Sequence, residues 1–190
     1  MSVKWILAGG VALMVGLAGV ALWLDRPAPD STQSRNPLAS SEALGKVDAT
    51  AGAIYAARFT DSNGKEHVLG EWQHKLLLIN FWATWCGPCK EEMPMLAKMQ
   101  EKHAANGLQI VGIAADSAAN VANYAGSVLP AYPWLPDEAG AMEFSKRLGN
   151  RLGLLPFTIV LKPGGEVIYT RLGVISEAEL TDLVAKHTVK

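Results

Sequence analysis

Hydrophobic and polar positions change rhythm several times along this 190-residue chain. Trp5–Leu24 is apolar on every helical face and carries no charged side chain. As a helix it would span about 30 Å at roughly 1.5 Å per residue, the thickness of a hydrocarbon core. Trp5 and Trp23 stand near its ends, where amphipathic rings favour the membrane interface. From 25 to 53 the pattern lapses into Pro27, Pro29, Pro37, Ser and Ala with no aromatic residue. Such a stretch predicts a flexible tether with a reach on the order of 30 Å.

A folded domain is expected over 54–190. Ile54–Thr60 and Glu66–Leu69 read as two strands joined at the turn Asp61-Ser62-Asn63-Gly64. Leu76–Phe81 (Leu-Leu-Leu-Ile-Asn-Phe) is a short apolar run, as expected of a strand buried on both faces. A helix follows to about His103, Gly107 ends it, and Leu108–Ala114 is a second buried strand. Ser117–Ser127 and Ala139–Leu148 predict helices. Phe157–Lys162 and Val167–Thr170 flank Pro163-Gly164-Gly165 as a hairpin, and Glu177–His187 is a final helix. This order predicts a three-layer α/β sandwich with a mixed sheet. Phe81, Trp82, Trp134, Met142 and Phe144 are expected to serve in packing.

Charge and cysteine usage narrow the picture. The net charge is −1 and no basic block occurs, which argues against a nucleic-acid partner. Lys4 precedes the apolar segment, and Asp25, Arg26 and Pro27 close it, so the amino terminus is expected inside and the domain outside. A cleaved secretory signal with Gly19-Val20-Ala21 as the cleavage site is the alternative. Either reading exports the domain. There is no cysteine near residue 20, so a bacterial lipoprotein is excluded. The chain has 2 cysteines, Cys86 and Cys89, too close together to staple distant parts of a fold. His67, His74, His103 and His187 show no metal spacing, so no metal and no cofactor are expected.

Trp85-Cys86-Gly87-Pro88-Cys89 follows a predicted strand and opens a predicted helix. The free amide groups and positive dipole end at a helix start stabilise a thiolate at Cys86. Pro88 suits an early helical position, where its missing N–H costs nothing. Cys89 then lies one turn inward, within reach of a mixed disulfide on Cys86. Cys86 therefore reads as the exposed nucleophile and Cys89 as the resolving thiol.

The run Asn80-Phe81-Trp82-Ala83-Thr84-Trp85-Cys86-Gly87-Pro88-Cys89-Lys90-Glu91-Glu92-Met93-Pro94 resembles the active-site stretch of thioredoxin-fold proteins. More narrowly, it resembles the membrane-anchored TlpA/ResA-like reductases of bacteria, from about residue 53 onward. The resemblance implies a thioredoxin-like fold with an amino-terminal hairpin and a central insertion between Cys89 and Pro156. It implies a kinking proline at Pro94, and a cis-proline at Pro156 facing the dithiol. Trp85, Gly87, Pro88, Leu155 and Pro156 would form the docking surface, where a client chain pairs by strand addition. Glu92, at i+3 from Cys89, would tune the dithiol's protonation. Thioredoxin proper uses a buried aspartate in the preceding strand, where this chain has Asn80.

The implied activity is an exported thiol-disulfide oxidoreductase at the bacterial inner membrane, anchored through 5–24, with its domain on the periplasmic side. Client proteins with oxidised cysteines and a membrane electron donor of the thiol-transfer type are the implied partners, and cytochrome c maturation a common task. Two other readings compete. A thiol peroxidase of the peroxiredoxin-like group would want Thr or Ser where Ala83 stands. A non-catalytic module would bind clients beside Pro156 without using the dithiol.

Overall fold

A computed structural model describes residues 43–127 and 131–188. The apolar segment 5–24 and the tether up to residue 42 lie outside the described residues. No described helix is long and apolar enough to cross a membrane.

The sheet is built around β3 (Leu76–Trp82), whose seven residues are all buried. β4 (Leu108–Ala114) runs parallel to it on one side, and β6 (Phe157–Leu161) runs antiparallel on the other. β5 (Trp134–Pro136) extends the sheet parallel to β4, and β7 (Val167–Leu172) pairs antiparallel with β6. The strand order is β5-β4-β3-β6-β7. This is the mixed sheet expected, and β5 falls between Cys89 and Pro156, the stretch expected to hold the central insertion.

Side chains of β3 alternate between two cores, as period-two pleating requires. Leu76, Leu78 and Trp82 join Met93, Leu96 and Met99 of α2 (Gly87–His103) and Leu180, Leu183 and Val184 of α5 (Glu177–His187). Val121 of α3 (Ala118–Ala125) belongs to the same core. Leu77, Ile79 and Phe81 face the other way, onto Ile54, Phe59 and Leu69 and onto Phe144 and Leu148 at α4 (Ala141–Arg147). Helices on both faces of one sheet make the three layers.

Two expectations need correction. Ile54–Thr60 is not one strand: Ala51–Tyr55 is a short helix, α1, and only Arg58–Thr60 is β1, paired with β2 (Glu66–Val68). Thr50 accepts a hydrogen bond from the amide of Ala53 and so starts α1, and Ile54 is wholly buried on the helix's inner side. Nor is 25–53 a tether throughout. Ala43 is buried, Leu44 bridges to Asn150, and the amides of Gly45 and Asp48 donate to the carbonyls of Gly149 and Arg147. The described part of that stretch is docked on the domain through backbone pairing, which composition does not signal.

Candidate active site

The end of β3 delivers the chain to the dithiol through Ala83, Thr84 and Trp85. Asp116, just past β4, pins this turn. Its carboxylate accepts from the Thr84 amide (3.1 Å) and hydroxyl, from the Ser117 amide (2.8 Å) and from the Asn120 side chain (2.7 Å). Burial alone would raise the Asp116 pKa, but these donors together hold it below the usual carboxylate range.

Cys86 is the N-cap of α2, and its sulfur accepts from the Cys89 amide at 3.3 Å. The two sulfurs are bonded in a disulfide, with Cα atoms 5.3 Å apart. Cys86 is 6% exposed and Cys89 0%. The outer sulfur is thus Cys86, although it shows much less surface than an openly exposed nucleophile. Gly87 and Pro88 are exposed as the first residues of α2, and a Cβ built on Gly87 would meet nothing within 4 Å. Trp85 is 70% exposed, an apolar ring standing beside the dithiol in sequence and unburied by the fold. Pro94 lies inside α2, where its missing N–H removes one bond from the helical ladder.

Glu92 is buried at 2% exposure, while Glu91 faces solvent. One Glu92 oxygen accepts from the Asn80 amide group (2.8 Å) and the other from the backbone N–H of Ile175 (2.9 Å). Burial pushes its pKa up to about 7, against the pull of these two donors. Asn80 also donates to Thr158 Oγ1 at 3.1 Å, linking β3 to β6. Asn80 thus acts here as a donor that helps retain a carboxylate one strand-to-helix step away. The buried carboxyl of this region sits on the helix and not on the strand.

The Leu155–Pro156 bond is cis. Leu155 is half-buried and packs on the core cluster that contains both cysteines. The Pro156 carbonyl accepts from the Gly173 amide at 2.8 Å. Gly173 and Ile175 belong to one loop, so that loop ties Pro156 to Glu92. Val174 between them is 39% exposed. The fold therefore gathers Cys86, Cys89, Glu92, Leu155 and Pro156 in one region. Asp116, Thr158 and Ile175 are the residues sequence reasoning missed. Asp116 had a weak local signal, an acidic residue before a Ser N-cap, but its partner Thr84 is too remote in sequence to foresee. Among the described residues no group of three His, Cys, Asp or Glu side chains could hold a metal ion.

A family model described as Redoxin matches residues 27–186. The chain belongs to the Redoxin family. It is 30% identical over 130 residues to the thiol-disulfide oxidoreductase ResA of Bacillus thuringiensis subsp. konkukian (strain 97-27), covering 68% of this chain and 73% of that protein. Among solved structures it is similar to a thioredoxin-related protein from Neisseria meningitidis serogroup B, with a TM-score of 0.61 and 32% identity over 68% of this chain and 97% of that one. A thiol:disulfide interchange protein of the thioredoxin family from Chlorobium tepidum TLS gives a TM-score of 0.60 and 26% identity, covering 69% and 92%. This redoxin is a thioredoxin-fold thiol-disulfide oxidoreductase of the TlpA/ResA type.

Proposed function

We propose that this redoxin is a membrane-tethered reductant of protein disulfides outside the cytoplasm, with Cys86 as nucleophile and Cys89 as resolving thiol. The supporting observation is the placement of Cys86 as the cap of α2, with Cys89 one turn inward and, one turn beyond Cys89, a buried Glu92 whose pKa is pushed up to about 7.

The cycle starts from the dithiol. The Cys86 thiolate attacks one sulfur of a client disulfide, that S–S bond breaks, and the released client thiolate takes a proton from solvent. Cys89 then gives its proton to the Glu92 carboxylate and attacks the Cys86 sulfur. The mixed disulfide breaks, the second client sulfur leaves and is protonated, and the Cys86–Cys89 disulfide remains. Two electrons have passed to the client. A membrane donor of the thiol-transfer type returns the pair to the dithiol by the same exchange in reverse. A carboxyl with pKa near 7 suits the proton step, because it is able to accept and release a proton close to the working pH.

The apolar segment 5–24, preceded by Lys4, supports anchoring in the bacterial inner membrane with the domain on the periplasmic side. The TlpA/ResA resemblance supports haem-attachment cysteines of apocytochromes c as clients. The test is Cys89→Ser in the full chain: without the resolving thiol, clients stay bound to Cys86 and are recovered as reducible adducts from membrane fractions. Absence of adducts that depend on Cys86 would overturn the assignment. An amino terminus beginning after residue 20 would overturn the anchor.

A further inference from the structure

Between α4 and β6 the chain crosses an irregular loop that ends at Leu155 and Pro156. Asn150, 0% exposed, organises it. Its side chain donates to the Leu154 carbonyl (2.9 Å) and accepts from the Leu154 amide (3.1 Å). Its carbonyl accepts from the Gly153 amide at 3.0 Å, and its side-chain amide also reaches Ser145 Oγ at 3.2 Å. Leu154 is thereby fixed immediately before Leu155 and Pro156.

The other edge of this loop is held by the chain arriving from the amino-terminal side. The Gly45 amide donates to Gly149 O at 2.8 Å, and the Asp48 amide to Arg147 O at 2.9 Å. Leu44 bridges Asn150 antiparallel. The approach is close: a Cβ on Gly149, which has φ +102°, would sit 3.0 Å from the Gly45 carbonyl oxygen. Glycine there permits both the left-handed backbone and the contact.

We propose that Ala43–Asp48 is a brace for the Asn150 loop, and that the two together preset Leu155 and Pro156 for protein clients. Asn150 is the positioning residue. The proposal rests on the reading that clients dock beside Pro156. A loop already ordered spares the binding step its ordering cost, so the brace acts on client affinity and leaves dithiol chemistry alone. The segment that leads toward the expected anchor is then also a part that sets the docking surface.

Gly45→Pro and Asp48→Pro each delete one brace N–H in the full chain, and Asn150→Asp deletes the donor that holds Leu154 O. The readouts are reduction of insulin disulfides, reduction of oxidised glutathione, and amide exchange at Gly153 and Leu154. The expected result is a KM for insulin raised about fivefold. kcat and the glutathione reaction stay within about twofold, and the two amides exchange faster. An unchanged KM despite faster exchange, or equal loss with both substrates, overturns the brace. In the wild-type chain the amides of Gly45, Asp48 and Leu154 are expected to open together. Protection factors that differ by more than about tenfold between brace and loop also overturn it, whether or not the variants fold. A wild-type chain that reduces neither substrate contradicts the dithiol reading instead.

Discussion

Glu92→Gln should remove a pH dependence of stability that the wild-type protein carries. The Glu92 carboxyl is buried and its pKa rises from 4.5 to about 7. The folded state therefore holds this proton at pH values where the unfolded chain has lost it. Stability from this group is fully present below about pH 4.5 and lost as pH rises to about 7, after which the carboxylate is charged in both states. At about 1.4 kcal/mol for each pH unit, the loss is about 3 kcal/mol. Glutamine keeps an acceptor for the Ile175 amide, and its new NH2 group faces the Asn80 NH2, so the Asn80 amide turns over to offer its partnerless oxygen instead. The assay is denaturant unfolding of the oxidised proteins from pH 4.5 to 8.5, where the disulfide keeps both thiols from titrating. The difference between wild type and variant should move by about 3 kcal/mol in favour of Gln across that range. Parallel stability curves would refute a buried, proton-binding Glu92. Groups common to both proteins cancel in the difference.

Further outcomes follow from the packing and the turn before the dithiol. Gly112→Ala places a Cβ 2.9 Å from Trp82 Nε1 and 3.2 Å from Trp134 Cδ1, two rings fixed against each other at 4.8 Å between centroids. Thermal unfolding should show a loss of about 1–3 kcal/mol. Asp116→Asn replaces one acceptor oxygen by an NH2 group set against donors that already point at it, and should cost about 1–3 kcal/mol near neutral pH. Because the Asp116 pKa is lowered, its contribution is present above the ordinary carboxylate pKa and disappears as pH falls below it. The gap between wild type and variant should therefore shrink in acid, as read by unfolding between pH 7 and pH 3.

The sheet strands were legible because their signals are local and strong. Leu76–Trp82 and Leu108–Ala114 are runs of strand length that are apolar except at Asn80 and Gln109, and both lie in the interior of the sheet. α1 was hidden because its start depends on one Thr50 cap, and five residues show no helical period. The docked segment Ala43–Asp48 was hidden for another reason: it is held by backbone groups, which every sequence possesses. At the site, Cys86, Cys89 and Glu92 were readable because helix spacing fixes their relation. Asn80 was readable only as a missing aspartate, and its bonds to Glu92 and Thr158 needed β3, α2 and β6 to be assembled. Asp116 and Asn150 work through partners that only the folded chain brings near.

The N–H of Cys89 points at the sulfur of Cys86, and that gives the enzyme an internal gauge. An amide proton that donates to sulfur shifts its resonance with the electron density it meets. The same nucleus would report disulfide, thiol, thiolate and mixed disulfide as separate frequencies. A single labelled nitrogen at position 89 then allows each turnover to be followed without a dye, a client chromophore or any change to the reacting atoms.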